Sequence, residues 1–394
     1  MQSLPDEPRR VGEALGVLGA CLGLHFGTGQ LTDTRLKLFA TPDLWTSLLG
    51  IARATGLLSA VESAVNRCGL LPASSLQPAV AGLGGALAAI GAEHRTRRAK
   101  MREHLVEIAG DFSRHGIETT LIKGAANLWT GAPEWRALRD LDILVPRHLA
   151  ETAQGLLVAA GYRCAPGGER RPHHLETMVR DDLPGWIELH VSACNRRGER
   201  LLPTSLLLRH TIKEGEATMR LPHPAAHVLH GLVHHHFSNR GAAYGVIALK
   251  GLLEFAHGYA ALDQDGIQLL RSLASRQPRL SAAVDLWIAA AAGLFRIADD
   301  ARFEATPDAS RRWAAIRARM QGGKPCSLVG ALGEDMRMSL SASRLGAAVA
   351  AAGHRGKLGA ALHALRGFLG ETPFTPRRRA EARQRASGIL LLPA

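Results

Sequence analysis

LIKGAANLWTGAPEWRALRDLDILV, from Leu121 to Val145, moves from a β-type segment through Lys123-Gly124 into a short helix. It then passes from Arg139-Asp140-Leu141-Asp142 into an apolar strand. Side chains two residues apart on a strand share a face, so Asp140 and Asp142 point the same way. Two unpaired carboxylates at the start of a buried strand are costly, because burial penalises the charged form. A divalent cation makes such a pair tolerable, and the combination points to metal-assisted chemistry on a nucleoside triphosphate.

Upstream, Met101, Leu105, Ile108, Ala109 and Phe112 fall at helical spacing and Gly116 follows as a C-cap. Glu118 to Ile122 reads as a strand rich in Thr and Ile. Leu141 to Val145 is a continuous apolar strand of the buried kind. Leu149 to Ala160 then carries one apolar helical face closed by Gly161. Tyr162 to Cys164, His174 to Arg180 and Trp186 to Ala193 are strand candidates, the last two joined by the turn Asp181-Asp182-Leu183-Pro184-Gly185. Farther out, helices are expected over Val11 to Leu24, Leu44 to Cys68 and Leu76 to Arg98, with Thr41-Pro42-Asp43 as a helix start. After Pro203 the pattern is helical to about Leu369. The expected architecture is therefore α+β: a small mixed-sheet core at 99–200, a helical region at 1–98, a helical domain at 201–370, and a peripheral basic tail at 371–394. No internal repeat of fixed period is evident.

With 394 residues, the chain is long enough for two or three domains. The scarcity of aromatic residues, 5%, alongside abundant Ala, Leu and Gly favours helix. A formal net charge of +13 makes an anionic partner plausible, but the arginines are scattered over helical faces rather than gathered in one tract. The five cysteines, Cys21, Cys68, Cys164, Cys194 and Cys326, are widely spaced, with neither a zinc-knuckle nor a disulfide pattern. The apolar stretch Val11 to Phe26 is broken by Gly and His and too short for a membrane span. A cytoplasmic protein with no membrane partner is expected.

Three pieces carry a resemblance: Leu-x-Lys-Gly at 121–124, Arg136-x3-Asp140-Leu-Asp142-Ile-Leu-Val145, and Trp186-Ile-Glu188-Leu-His190. Together and in this order, over about residues 100 to 260, the set resembles the bacterial uncharacterised nucleotidyltransferase family of the DNA polymerase β-like superfamily. The resemblance implies that Asp140, Asp142 and Glu188 are catalytic and metal-binding. It places Lys123 and Gly124 where the superfamily holds the triphosphate, with Arg139 and His190 as further nucleotide contacts. Asp140 and Asp142, with Cα atoms ~7 Å apart, could hold two Mg²⁺ ions ~3.5–4 Å apart. Hard oxygen ligands suit Mg²⁺ or Mn²⁺ rather than zinc. Gly124 at a helix N-terminus would open backbone N–H groups to phosphate. The departures are the absence of a serine after Gly124 and a slightly long gap to Asp140.

Plainer readings stand beside these. The two aspartates could be solvated strand-entry acids, and Glu188 could pair with Arg139 or Arg180. Lys123 could be a surface lysine, Arg139 an aspartate's structural partner, and His190 a satisfied core histidine. His227, His230 and His234 fall on one helical face, beside His235 and His236. With no H-E-x-x-H arrangement and no nearby cysteine, packing beside the site is the expected role, ahead of zinc. The resulting expectation is a Mg²⁺-dependent enzyme that moves a nucleoside monophosphate from an NTP, with ATP as the expected donor, to an acceptor hydroxyl and releases pyrophosphate. A small-molecule, peptide or protein acceptor is favoured over nucleic acid, because no aromatic stacking platform is present. The alternatives are a non-catalytic nucleotide- or nucleic-acid-binding protein of the same fold and a phosphotransferase on the same metal site.

Overall fold

The computed structural model describes residues 8–26, 42–67, 78–168, 170–213, 219–239, 241–244, 247–297 and 300–322. The expected tail at 371–394, and the helical pattern beyond residue 322, lie outside the described residues. Four helices come first: α1 (Pro8–Gly23), α2 (Pro42–Thr55), α3 (Leu58–Arg67) and α4 (Pro78–Arg114). Where one helix was expected from Leu44 to Cys68 there are two, because Gly56 takes a positive φ of 70° between them. Where two were expected from Leu76 to Phe112, a single helix of 37 residues runs through residue 98. No Pro or Gly interrupts Ala92 to Ala109, and its Arg, Lys, Glu and Met are good helix formers.

The central unit follows: β1 (Thr119–Leu121), α5 (Lys123–Thr130), β2 (Asp140–Leu144), α6 (Ala150–Ala159), β3 (Arg163–Cys164), β4 (Met178–Val179) and β5 (Trp186–His190). After the short helices α7 (Arg196–Glu199) and α8 (Thr204–Arg209) come β6 (Thr211–Lys213) and β7 (Met219–Pro222). All seven strands form one mixed sheet, in the order β3-β4-β5-β2-β1-β7-β6. Strands β6 and β7 were not expected: that stretch reads as helical after Pro203. β7 nevertheless pairs in parallel with β1, and β6 closes the edge antiparallel to β7. Continuing along the chain are α9 (Pro224–Leu232), a π-helical segment Val233–Ser238, α10 (Gly241–Tyr244), α11 (Leu249–Ala260), α12 (Gln264–Ser275), α13 (Pro278–Phe295) and α14 (Pro307–Gly322).

Alternation along β2 and β5 assigns the two faces of the sheet. Leu141, Ile143, Ile187 and Leu189 pack with Met101, Leu105 and Phe112 of α4 and Leu157 of α6 in one apolar core. Each such side chain contributes about 1.5–3 kcal/mol when fully buried. Asp140, Asp142, Glu188 and His190 occupy the intervening positions, on the opposite face. There Leu144 and Ile122 join a second core that draws on α1, α2 and α3 as well as α9, α11, α12 and α13. The helices at the two ends of the described chain thus share one interior. One helix, α13, is long and apolar enough to cross a membrane by length and composition, and 61% of it is buried inside the protein. The acidic face is left looking into this helical body.

Candidate active site

Four elements place the site. β2 and β5 lie side by side in parallel, with Asp142 opposite Glu188 and Leu144 opposite His190. β1 lies antiparallel to β2 on its other side, and the chain turns from β1 into α5 at Lys123. That lysine has φ +48°, an unusual conformation for a residue with a Cβ. Its ammonium lies 2.6 Å from Asp142 Oδ1. His190 Nε2 meets the same oxygen at 2.8 Å and lies 3.4 Å from Glu188 Oε2. Asp142 and His190 are buried almost completely, while Glu188 remains partly open.

The electrostatics divide the two aspartates. Burial opposes ionisation of Asp142, but Lys123 and His190 outweigh it and hold the carboxyl far below the usual range. Asp140 is pushed up to about 6, first by burial and then by the charge of Asp142, with Lys123 only partly compensating. Glu188 sits below its ordinary value although burial pushes the other way, chiefly because His190 hydrogen-bonds to it. Lys123 is raised despite burial by Asp142 and Asp140. Three carboxylates thus crowd one cation and one imidazole, a surplus of negative charge that a divalent ion would relieve.

The donor atoms fit such an ion. One ligand atom each from Asp142, Glu188 and His190 lie within 4.8 Å of one another, close enough to share one centre. This grouping differs from the expected three carboxylates: His190 stands within it, and Asp140 is beside it. Lys123, Asp142, Glu188 and His190 are therefore brought together. Gly124 is the second residue of α5, but an added Cβ there would lie 2.5 Å from Arg136 Nη1 and 2.8 Å from Leu138 Cδ2. The space over this glycine is filled by a guanidinium. Arg139 is exposed and forms no ion pair with either aspartate or with Glu188 among the described residues; its carbonyl accepts from Trp186 N–H at 3.1 Å. Arg180 pairs with Glu107 and Asp182, not with Glu188.

Some neighbours went unread in the sequence. Arg136 is buried, with Nε 3.0 Å from Glu254 of α11. Its place at the head of the Arg-x3-Asp piece was the available signal. His173 and His174 set their rings 5.9 and 5.5 Å from that of His190; as two adjacent histidines before a strand they gave little to go on. The histidine run packs instead of gathering. His230 donates from Nε2 to the Ala193 carbonyl at 2.9 Å, His227 Nε2 lies 3.0 Å from Asn127 Oδ1, and His236 meets the ring of Trp287 edge-on. The single helical face expected for His227, His230 and His234 is broken, because the helix widens into the π-helical segment at Val233.

Residues 41–296 match the family described as uncharacterised nucleotidyltransferase. The chain belongs to this family. The match reaches well beyond the stretch that carried the resemblance, taking in α2 and α3 before it and α12 and α13 after it. It makes the protein a transferase of nucleotidyl groups, for which a nucleoside triphosphate is the implied substrate. No curated protein and no solved structure matches the chain.

Proposed function

We propose that this nucleotidyltransferase moves a nucleoside monophosphate from ATP to a hydroxyl of a small molecule, peptide or protein, releasing pyrophosphate. The observation that supports the reading most is the convergence on Asp142. This carboxylate faces Glu188 across two parallel strands while Lys123 and His190 both reach its Oδ1. Asp140, Asp142 and Glu188 would hold Mg²⁺ or Mn²⁺, with His190 near enough to add a nitrogen. Bound there, such ions supply neutralisation of the triphosphate and a lowered pKa for the acceptor hydroxyl.

The chain's own residues do the rest. Lys123, already aimed at the site, meets phosphate oxygens, and the positive φ of its backbone sets that aim. Arg136 adds positive charge at the start of α5, and Arg139, exposed at the head of β2, is a further nucleotide contact in this reading. The acceptor oxygen forms a bond to the α-phosphorus as the bond from that phosphorus to the pyrophosphate oxygen breaks. Glu188, the more accessible carboxylate, takes the hydroxyl proton. The same reading takes the cytoplasm as the place of the reaction.

Labelled ATP tests the reading. Transfer of α-label to an acceptor is expected, together with release of labelled pyrophosphate from γ-labelled ATP. Transfer of the γ-label would instead make the protein a phosphotransferase. No turnover, with salt-sensitive RNA binding, would make it a non-catalytic binder. The Asp140→Asn, Asp142→Asn double variant should lose transfer while remaining folded by circular dichroism; full activity in that variant would sink the proposed site.

A further inference from the structure

One turn along α5 from Lys123 the chain borders a second space that no step above uses. A cavity of about 400 Å³ lies among α5, the Ala132-Pro133 turn, β7, α9 and α11. Its walls are mostly apolar, with Ala126, Leu221, Val228 and Phe255 among them. That volume lies within the range of small-molecule sites, which pair an apolar lining with a few fixed polar groups. Among its polar groups are His227, His235 and Glu254. Each carries a buried atom with no hydrogen-bond partner: His227 Nδ1, His235 Nδ1 and Glu254 Oε1. Glu254 Oε1 stands 3.0 Å from Arg136 Nε, but without the alignment of a hydrogen bond. Buried polar atoms left in this state are unfavourable, and a ligand that pairs with them, above all with the two imidazole nitrogens, relieves that.

The surrounding charges narrow the ligand. An anion would meet Glu254, and a cation would meet Arg136 and Lys250, which flank that carboxylate. Burial pushes His227 and His235 down to about 4, so both rings are neutral and can donate or accept. The cavity and the candidate active site also share a wall. Lys123 and Asn127 are one helical turn apart, about 6 Å along the axis, and Asn127 lines the cavity. The guanidinium that covers Gly124 is the one that faces Glu254.

We propose that this cavity holds the apolar body of the acceptor, which is then a neutral, largely hydrophobic small molecule bearing hydroxyl groups. The assignment rests on the nucleotidyl-transfer reading and narrows its acceptor from small molecule, peptide or protein to this class. Gly231 offers a clean test. It lines the cavity from within α9, and a Cβ added there meets no atom within 4 Å. Gly231→Phe therefore has a Cβ free of collision and a ring directed at the space it is meant to fill, at a position where leaving glycine favours helix.

N-phenyl-1-naphthylamine, a neutral apolar fluorophore with one N–H donor, is the probe. Saturable one-to-one binding is expected for the wild-type protein, at least ten-fold weaker binding for Gly231→Phe, and an unlowered melting temperature in that variant. Should Gly231→Phe melt early, Val228→Phe fills the same space from the next turn. Wild-type protein that shows no saturable binding, or fillers that bind equally well, overturn the site. Asp142→Asn without metal should bind the probe as wild type does, which separates the cavity from the chemistry. In the second arm, α-labelled ATP is incubated with an organic-solvent extract of cells. Labelling by wild type that falls at least ten-fold in the filler supports the acceptor role, whereas equal labelling overturns it. If the wild type labels nothing while the probe still binds, the transfer reading and the acceptor role fall together and the cavity stands as a ligand site.

Discussion

Asp140 and Asp142 sit two residues apart on one strand face, yet their partners hold them in opposite states. Lys123 and His190 both contact Asp142, while burial first and the charge of Asp142 second raise Asp140 to about 6. Asp142→Asn removes the second-largest cause of that rise. The Asp140 carboxyl should then titrate nearer the ordinary carboxylate value, as followed by carbon NMR of labelled protein. Nucleotidyl transfer should fall by about 10²–10³-fold in the same variant, the scale of losing one preorganised electrostatic group. An Asp140 titration that stays put would show that burial alone sets it. Gly124 makes a separate demand, because Arg136 Nη1 takes the room a side chain would need. Gly124→Ala should lower stability by about 1–3 kcal/mol in urea titration, the usual range for overpacking, since Arg136 is also held by Glu254.

Among the elements, β2 and β5 were readable because acids at alternate positions of a buried strand weaken it unless something binds them. Lys123 to Thr130 was readable because a glycine, small residues and a closing Gly131 bracket it. β6 and β7 were not, because three or four residues are too few for alternation to mark a strand, and Pro224 just after them resembles a helix entry. The identity of β7 comes from pairing with β1, about a hundred residues earlier, and that of β6 from pairing with β7. The inclusion of His190 in the ligand group was hidden for a similar reason: its role depends on register against Asp142, which no local pattern encodes. The histidines of α9 and the π-helical segment bear on stability. Burial pushes His227, His230, His235 and His236 down to about 4, 3, 4 and 4 from an ordinary 6.5. The folded protein keeps them neutral while the unfolded chain protonates below about 6.5. Stability should therefore be present above pH 6.5 and decline as pH falls toward 4. The slope approaches ~1.4 kcal/mol per pH unit for each histidine that the unfolded state alone protonates. Urea midpoints at pH 7, 6 and 5 measure this, and a flat profile would contradict it.

For the molecule as a whole, α1 closes the helical body although it precedes the residues that match the family. Gly19 and Gly23 let it approach so closely that an added Cβ would run into the Leu294 and Phe295 carbonyls of α13. Because the obstacle is backbone, Gly19→Val has little room to relax. A loss of about 1–3 kcal/mol is expected, read as a lower melting temperature, against near-neutrality for Gly16→Ala, where an added Cβ meets nothing within 4 Å. The β1–β7 pairing has its own consequence for how the protein is made. The strand leading into Lys123 stands between β2, some twenty residues downstream, and β7, about a hundred residues downstream. On the ribosome, β1 and β2 emerge long before β7, so one edge of the nascent catalytic sheet stays uncovered through the synthesis of β5, α7 and α8. Contacts this distant in sequence form slowly, and an open strand edge invites pairing with other chains. The enzyme should therefore acquire its activity late in its own synthesis, and it should be most dependent on chaperones during that interval.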